Sequence, residues 1–274
     1  MDRKRRQFLK IAGLSTIAGL GAPTAFNFLL KGQSSPDLLA SSEAESQASH
    51  DAAPAGVRLG MVIDQKVFDA NEGLTQKCIT ACHTVHNVPD FGEDNKKDEI
   101  KWIFEVPYEK AFTEKSHYHR NENLHDSNFL VMCNHCDNPP CVRACPTKAT
   151  FKRKDGIVAM DYHRCIGCRF CMAACPYGMR SFNWRDPRPF IDKVTYNKEF
   201  PTRMRGVVEK CNFCVERLAR GLQPACVEAC GNTRAMTFGD LNDSHSDIRK
   251  VLAENFTIQR KPALGTNPSV FYIV

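Results

Sequence analysis

The run Cys165-x2-Cys168-x2-Cys171-x3-Cys175, closed by Pro176, puts four thiols within eleven residues. Thiolates at this spacing are ligands for iron–sulfur cubanes. Three come from one tight loop that wraps a cluster, and the fourth, on a short helix, points at a neighbouring cluster. The proline then stops that helix. Cys133-x2-Cys136-x4-Cys141-x3-Cys145, ahead of Pro146, is the same run with two extra residues before its third thiol. With last ligands exchanged, one 4Fe-4S cluster is expected on Cys133, Cys136, Cys141 and Cys175. A second is expected on Cys165, Cys168, Cys171 and Cys145. Zinc is the competing chemistry, but zinc sites generally use two separated C-x2-C pairs.

A third set, Cys211-x2-Cys214-x11-Cys226-x3-Cys230, supplies three wrapping thiols and one that looks outward. Its cluster needs a ligand from another run, and Cys82 in Cys78-x3-Cys82 is the thiol left for that role. Twelve of the fourteen cysteines are thereby placed, and Cys78 and Cys230 remain. Three readings compete for this degenerate fourth site. The cluster is absent, leaving a structural pair that could form a disulfide in an oxidising compartment. It is present with surrogate ligands drawn from Asp69, Glu72, His83 or His86. Or a partner subunit completes it. Loss is favoured, because carboxylates and imidazoles rarely replace thiolates on cubanes. Three clusters are therefore expected.

The elements that must position these thiols are short. Leu59–Asp64 reads as a strand leading to the first cysteine segment, with a helix over roughly 79–86. Residues 101–106 alternate like a strand, and 128–132 form a buried strand delivering Cys133. Lys154-Asp155-Gly156 turns a hairpin between 149–152 and 157–160. Residues 206–209 enter the third set and 234–238 leave it as strands; Asp240 or Asn242 should cap a closing helix over about 243–254. The fold class is α+β: nested ferredoxin-like lobes with short strands and helices around the clusters. One lobe, 127–184, is inserted between the halves of an outer lobe made from 57–126 and 185–274. Clusters replace much of the hydrophobic core in closing each lobe. Trp102 and Trp184 are expected to pack in the core or between lobes, and the apolar end 268–274 to pack on the body.

The chain has 274 residues, 25% of them charged, and a net charge of +6. That charge does not mark a nucleic-acid binder. Arg3, Lys4, Arg5, Arg6, Lys10 and Lys31, against Asp2 and Asp37, place four of the six net positive charges within residues 1–40. The remainder has no polyanion footprint. Arg5-Arg6-Gln7-Phe8-Leu9-Lys10, followed by an uncharged stretch to Leu30, matches a twin-arginine export signal over 1–32. Its glycines and polar residues dilute it below a permanent anchor, although an uncleaved segment is the alternative. Residues 33–56, rich in Ser, Ala and Gln, read as a flexible linker. A twin-arginine signal agrees with a cofactor inserted before export.

Four cysteine groups, the middle pair nested inside the outer pair, resemble the four-cluster ferredoxin-like subunits of membrane-bound oxidoreductases over residues 58–240. Those serve dimethyl sulfoxide, polysulfide, tetrathionate and nitrate reductases. The twin-arginine signal, the stretch Ala81-Cys82-His83-Thr84-Val85-His86-Asn87-Val88-Pro89 and the degenerate first group look most like one branch of them. That branch is the periplasmic iron–sulfur subunit of the membrane complex associated with dissimilatory sulfite reductase. The resemblance implies a polytopic quinone-reactive membrane partner and a periplasmic multihaem cytochrome c. Wider members usually keep sixteen cysteines, and this chain has fourteen.

The expected function is therefore electron conduction without a catalytic site. Single electrons would pass between the quinone-reactive partner and other redox subunits of sulfur metabolism, in the periplasm, with membrane association through partners. One alternative is the wire subunit of a molybdenum-dependent reductase or dehydrogenase. Another is a zinc or disulfide-stabilised interaction protein. Arg143, Lys148, Arg169, Arg180 and Lys210 lie near the thiols and could raise cluster potentials if they are not simply solvated. His117, Tyr118, His119 and His125 form a polar stretch better read as a solvated loop than as a metal or haem contact. No G-x-x-x-x-G-K loop and no nucleophile–base constellation occurs.

Overall fold

The computed structural model describes residues 56–114 and 127–274, all within the compact unit Asp51–Val274. The export signal, nearly all of the linker and the His117–His125 stretch lie outside the described residues. β1 (Leu59–Asp64) leads into α1 (Gln65–Ala70) and α2 (Leu74–Val85). Next come β2 (Ile103–Pro107), α3 (Tyr108–Ala111), β3 (Asn128–Met132) and α4 (Pro140–Arg143). The hairpin β4 (Thr150–Lys152) and β5 (Val158–Met160) precedes α5 (Phe170–Ala173) and β6 (Ser181–Phe182). The chain closes through β7 (Val208–Glu209), α6 (Val215–Leu218), α7 (Ala225–Cys230), β8 (Met236–Asp240), α8 (Asp247–Glu254), β9 (Thr257–Ile258) and β10 (Val270–Ile273).

One four-stranded sheet has the order β8-β1-β10-β9, with β1 parallel to β10 and the other pairs antiparallel. β1 is an unbroken apolar run because both its faces are covered. Met61 and Ile63 face the main core, while Val62 packs with Leu241, Ile248 and Ile273 under α8. Burial of each such side chain contributes about 1.5–3 kcal/mol. Gly60 is required there: a Cβ would meet the Leu241 side chain at 2.7 Å and the Ser269 carbonyl at 2.8 Å. The apolar end does pack on the body, as β10 inside the sheet, with Val270 and Tyr272 fully buried.

Three two-stranded sheets, β2–β3, β4–β5 and β6–β7, carry the cysteine loops. β2 pairs with β3 from Ile103↔Met132 to Pro107↔Asn128, and β6 pairs with β7 through Ser181↔Glu209 and Phe182↔Val208. Both ladders cross the expected lobe boundaries, so the inserted and outer segments share backbone hydrogen bonds. Four expected features move. The helix carrying Cys78 and Cys82 starts at Leu74, behind Gly73 in the left-handed region, because Leu74, Cys78 and Cys82 make one buried face. β8 starts at Met236, since Arg234 has φ 52 and cannot sit in a strand. The closing helix starts at Asp247 behind Ser246 rather than an Asp240 or Asn242 cap. Asp240 instead accepts hydrogen bonds from the Arg58 and Asn242 main-chain N–H groups. Trp102 is core, but Trp184 is 47% exposed, against Phe182 and under the Arg169 guanidinium.

Candidate iron–sulfur centres

β3 delivers the loop of Cys133 and Cys136, which turns at His135 with φ 40. Cys141 lies on α4 behind Pro140 at its first position, and Cys175 follows α5. The chain's end braces this loop: Ser269 N–H donates to Asn134 O, Asp137 N–H to Asn267 O and Asn138 N–H to Thr266 O. Burial pushes the Cys136 thiol up to about 12, and the neighbouring Cys133, Cys141 and Cys175 add to the shift. The first expected set of four is thus brought together.

Cys165 and Cys168 occupy the half-buried loop before α5, and Cys171 lies on that helix. The loop is closed by Gly167, at φ +70, where a Cβ would clash with the Gly206 carbonyl oxygen. Burial raises the Cys171 thiol, Arg180 opposes the rise, and Cys141, Cys165 and Cys145 reinforce it. Cys145 is different. Burial works against its ionisation, but main-chain N–H groups of Thr150, Thr147 and Ala149 and the Thr147 hydroxyl hold it below the usual thiol range.

Cys82 on α2 meets Cys211 and Cys214, at the turn into α6, and Cys226 on α7. Burial pushes Cys82 well up, and Cys214, Cys211 and Cys226 follow as causes. Phe213 and Cys214, at φ 54 and 51, bend the backbone at this turn, and Cys214 N–H donates to Asn212 Oδ1. Phe213 N–H donates to Cys211 Sγ at 3.5 Å and Ala225 N–H to Cys214 Sγ at 3.3 Å.

The sets form a row. Cys171 responds to Cys141, linking the second set to the first, and Cys211 responds to Cys133, linking the first to the third. Buried thiols this close repel one another as thiolates, so they ionise together only around a strongly cationic body. Cubane iron is such a body, and the donor set fits it. Among the described residues, no group of three or more His, Cys, Asp or Glu side chains could hold a metal ion. A cubane asks for a different arrangement, with thiolates spread over a body several bonds across.

Cys78 and Cys230 are also brought together, their sulfurs 3.5 Å apart. The suggested surrogate ligands do not converge on them. Asp69 accepts from Gln65 and Ser127, and with Glu72 it lines a separate surface hollow. His83 lines a cavity of about 720 Å³ and is pushed down to about 4 by burial. His86 stands by Cys82, with Nδ1 2.8 Å from the Cys82 carbonyl oxygen and Nε2 2.7 Å from Glu216 Oε1. Burial opposes its charge, but Cys214 and Glu216 raise it to about 9.

The cations sort clearly. Arg143, Lys148 and Arg169 are exposed, whereas Arg180 and Lys210 are buried. Arg180 donates to Thr150 Oγ1, and its guanidinium is held charged against burial by Cys141, Cys171 and Cys133. Lys210 Nζ donates to the main-chain carbonyls of Val158 and Cys211. A further ion pair, Arg203–Glu209, has both side chains fully buried. Glu209 also accepts from Trp102 Nε1 and Asn183 Nδ2, and Arg203 donates to the His86 and Asn87 carbonyls. Sequence reasoning missed this network. Its one signal was the charged pair Glu209-Lys210 inside an otherwise apolar approach to Cys211.

The family model for the 4Fe-4S dicluster domain matches this chain twice, over residues 127–189 and 185–241. The chain is 43% identical over 210 residues to an Hdr-like menaquinol oxidoreductase iron-sulfur subunit of Archaeoglobus fulgidus, covering 74% of each. It is 37% identical over 217 residues to the B subunit of the polysulfide reductase of Wolinella succinogenes, covering 79% of this chain and 94% of that subunit. With the menaquinone reductase iron-sulfur cluster-binding subunit of Nitratidesulfovibrio vulgaris it shares 36% over 242 residues, covering 79% and 89%.

Proposed function

Because the chain belongs to the family of four-cluster ferredoxin-like iron–sulfur subunits of quinol-linked oxidoreductases, we propose that it is a three-cluster periplasmic wire with no catalytic site of its own. The observation that carries the reading is the row of three thiol sets, each drawn crosswise from separated segments. Bound 4Fe-4S clusters accept and release single electrons. The protein's part is to fix their spacing and surroundings. Cys82 ties α2 to a loop some 130 residues downstream, and the main-chain N–H groups facing Cys211 and Cys214 favour added negative charge there. Arg180 and Lys210 do the same from buried positions.

The two lobes, 57–126 with 185–274 and the inserted 127–184, are the units that carry this row. The export signal around Arg5-Arg6 supports a periplasmic location. The relatives named for menaquinol, menaquinone and polysulfide support a quinone-reactive membrane partner and a place in sulfur metabolism. That partner docks at the second set. Ile166 and Phe170, 67% and 60% exposed, flank the half-buried Cys165 and Cys168 in the chain, and Trp184, 47% exposed, lies under the neighbouring Arg169. Exposed apolar side chains here are of the kind partners cover. A multihaem cytochrome c is the expected further partner.

The test is affinity capture of the full chain from its own cells, with Ile166→Asp as control. Capture of a polytopic membrane protein and a multihaem cytochrome, lost with I166D at unchanged iron content, supports the reading. Capture of a molybdopterin-binding subunit instead would transfer the chain to the molybdenum-dependent alternative.

A further inference from the structure

Cys78 lies on α2 and Cys230 ends α7; the first is fully buried and the second 3% exposed. Their sulfurs touch at 3.5 Å, although 152 positions separate them in the chain. A cubane carries one thiolate on each iron corner and holds its ligand sulfurs apart across its body. Two sulfurs in contact leave no room for that body between them. The polar neighbours supply no replacement ligands either: Asp69 is held by Gln65 and Ser127, and His86 by Glu216. What the pair offers is two thiols on packed helices, one short movement from a covalent bond.

We propose that Cys78 and Cys230 form an intrachain disulfide in place of a fourth cluster. In the step, both thiols lose their protons, one S–S bond forms, and two electrons leave. A disulfide oxidant takes up the electrons and protons and is cleaved into two thiols. The physiological oxidant rests on the export reading, since cytoplasmic thiols are kept reduced. The cross-link closes a long loop and so restricts the unfolded chain. It also clamps α2, which carries Cys82, onto α7, which carries Cys226, and so fixes the two halves of the third thiol set in register.

The test uses the purified full chain with its clusters, equilibrated with oxidised glutathione so that the result does not depend on the compartment of harvest. The protein is denatured in acid with an alkylating agent, and its peptides are mapped before and after reduction. The expected result is a cross-linked peptide pair holding Cys78 and Cys230, while the other twelve cysteines are alkylated. Recovery of both as alkylated thiols overturns the proposal. Iron measured on the same sample keeps the two readings apart. About twelve irons per chain accompany the disulfide if the wire reading holds, and a cross-linked chain without iron sinks the wire reading alone. About sixteen irons mean a fourth cluster and overturn the disulfide. A Cys78→Ser, Cys230→Ser double variant should keep its iron and melt at a temperature that reductant no longer lowers. If reductant lowers the melting temperature of parent and variant alike, the cross-link is overturned.

Discussion

All six cysteines of the outer segments are buried, whereas five of the eight in residues 127–184 are only half-buried. Four of the outer thiols sit on α2 and α7, which pack on each other and on β2 and β8, and Cys211 and Cys214 sit at the turn into α6 beside them. The inserted thiols hang on loops around four-residue helices and two-stranded sheets, which have little core of their own. In the outer segments packing positions the thiols. In the inserted segment the thiols and what they bind position the chain. Exposure, access and sensitivity to substitution should divide along the same line.

The largest expected effect is on access. Mild oxidation with a chelator should strip iron in two phases, about eight irons quickly from the inserted segment and about four at least ten-fold more slowly from the outer one. A single phase would erase the contrast.

Glu209→Gln should come next. It leaves the fully buried Arg203 without its counter-charge, at a cost of about 3–5 kcal/mol in denaturant unfolding. A loss below about 1 kcal/mol would mean that the outer core is not as dry as its geometry indicates.

Gly167→Ala should cost about 1–3 kcal/mol, because a Cβ there meets the Gly206 carbonyl and φ is positive. The damage should be confined to the second set, read as a changed spectrum for one cluster of three.

Lys210→Met should be the mildest. With iron retained, one cluster should shift to a lower midpoint potential by on the order of tens of millivolts, and Lys210→Arg should restore it. A cation beside a cluster favours the added electron, so its removal disfavours reduction. An unchanged potential would make Lys210 purely structural.

The cysteine runs were legible because their spacing is written directly in the chain. β3 and the β4–β5 hairpin were legible for a similar reason, as short apolar runs bounded by a turn. The start of α2 was not, because Gly73 gives no capping side chain and the helical face appears only once Leu74 is seen to be buried with the cysteines. Neither was the Arg203–Glu209 pair, which depends on Trp102, Asn183 and His86 arriving from distant segments. The fate of Cys78 and Cys230 could be reduced to three readings in the sequence. Loss of the cluster was already the favoured one, and the 3.5 Å sulfur separation, which no sequence carries, adds to it.

The crosswise assembly of thiols meets its most direct test at Cys82, the ligand furthest in sequence from its set. Iron and acid-labile sulfide are measured per purified chain before and after Cys82→Ala. The account expects about twelve of each to fall to about eight, with the missing cluster being the one held by Cys211, Cys214 and Cys226. Unchanged iron would contradict it.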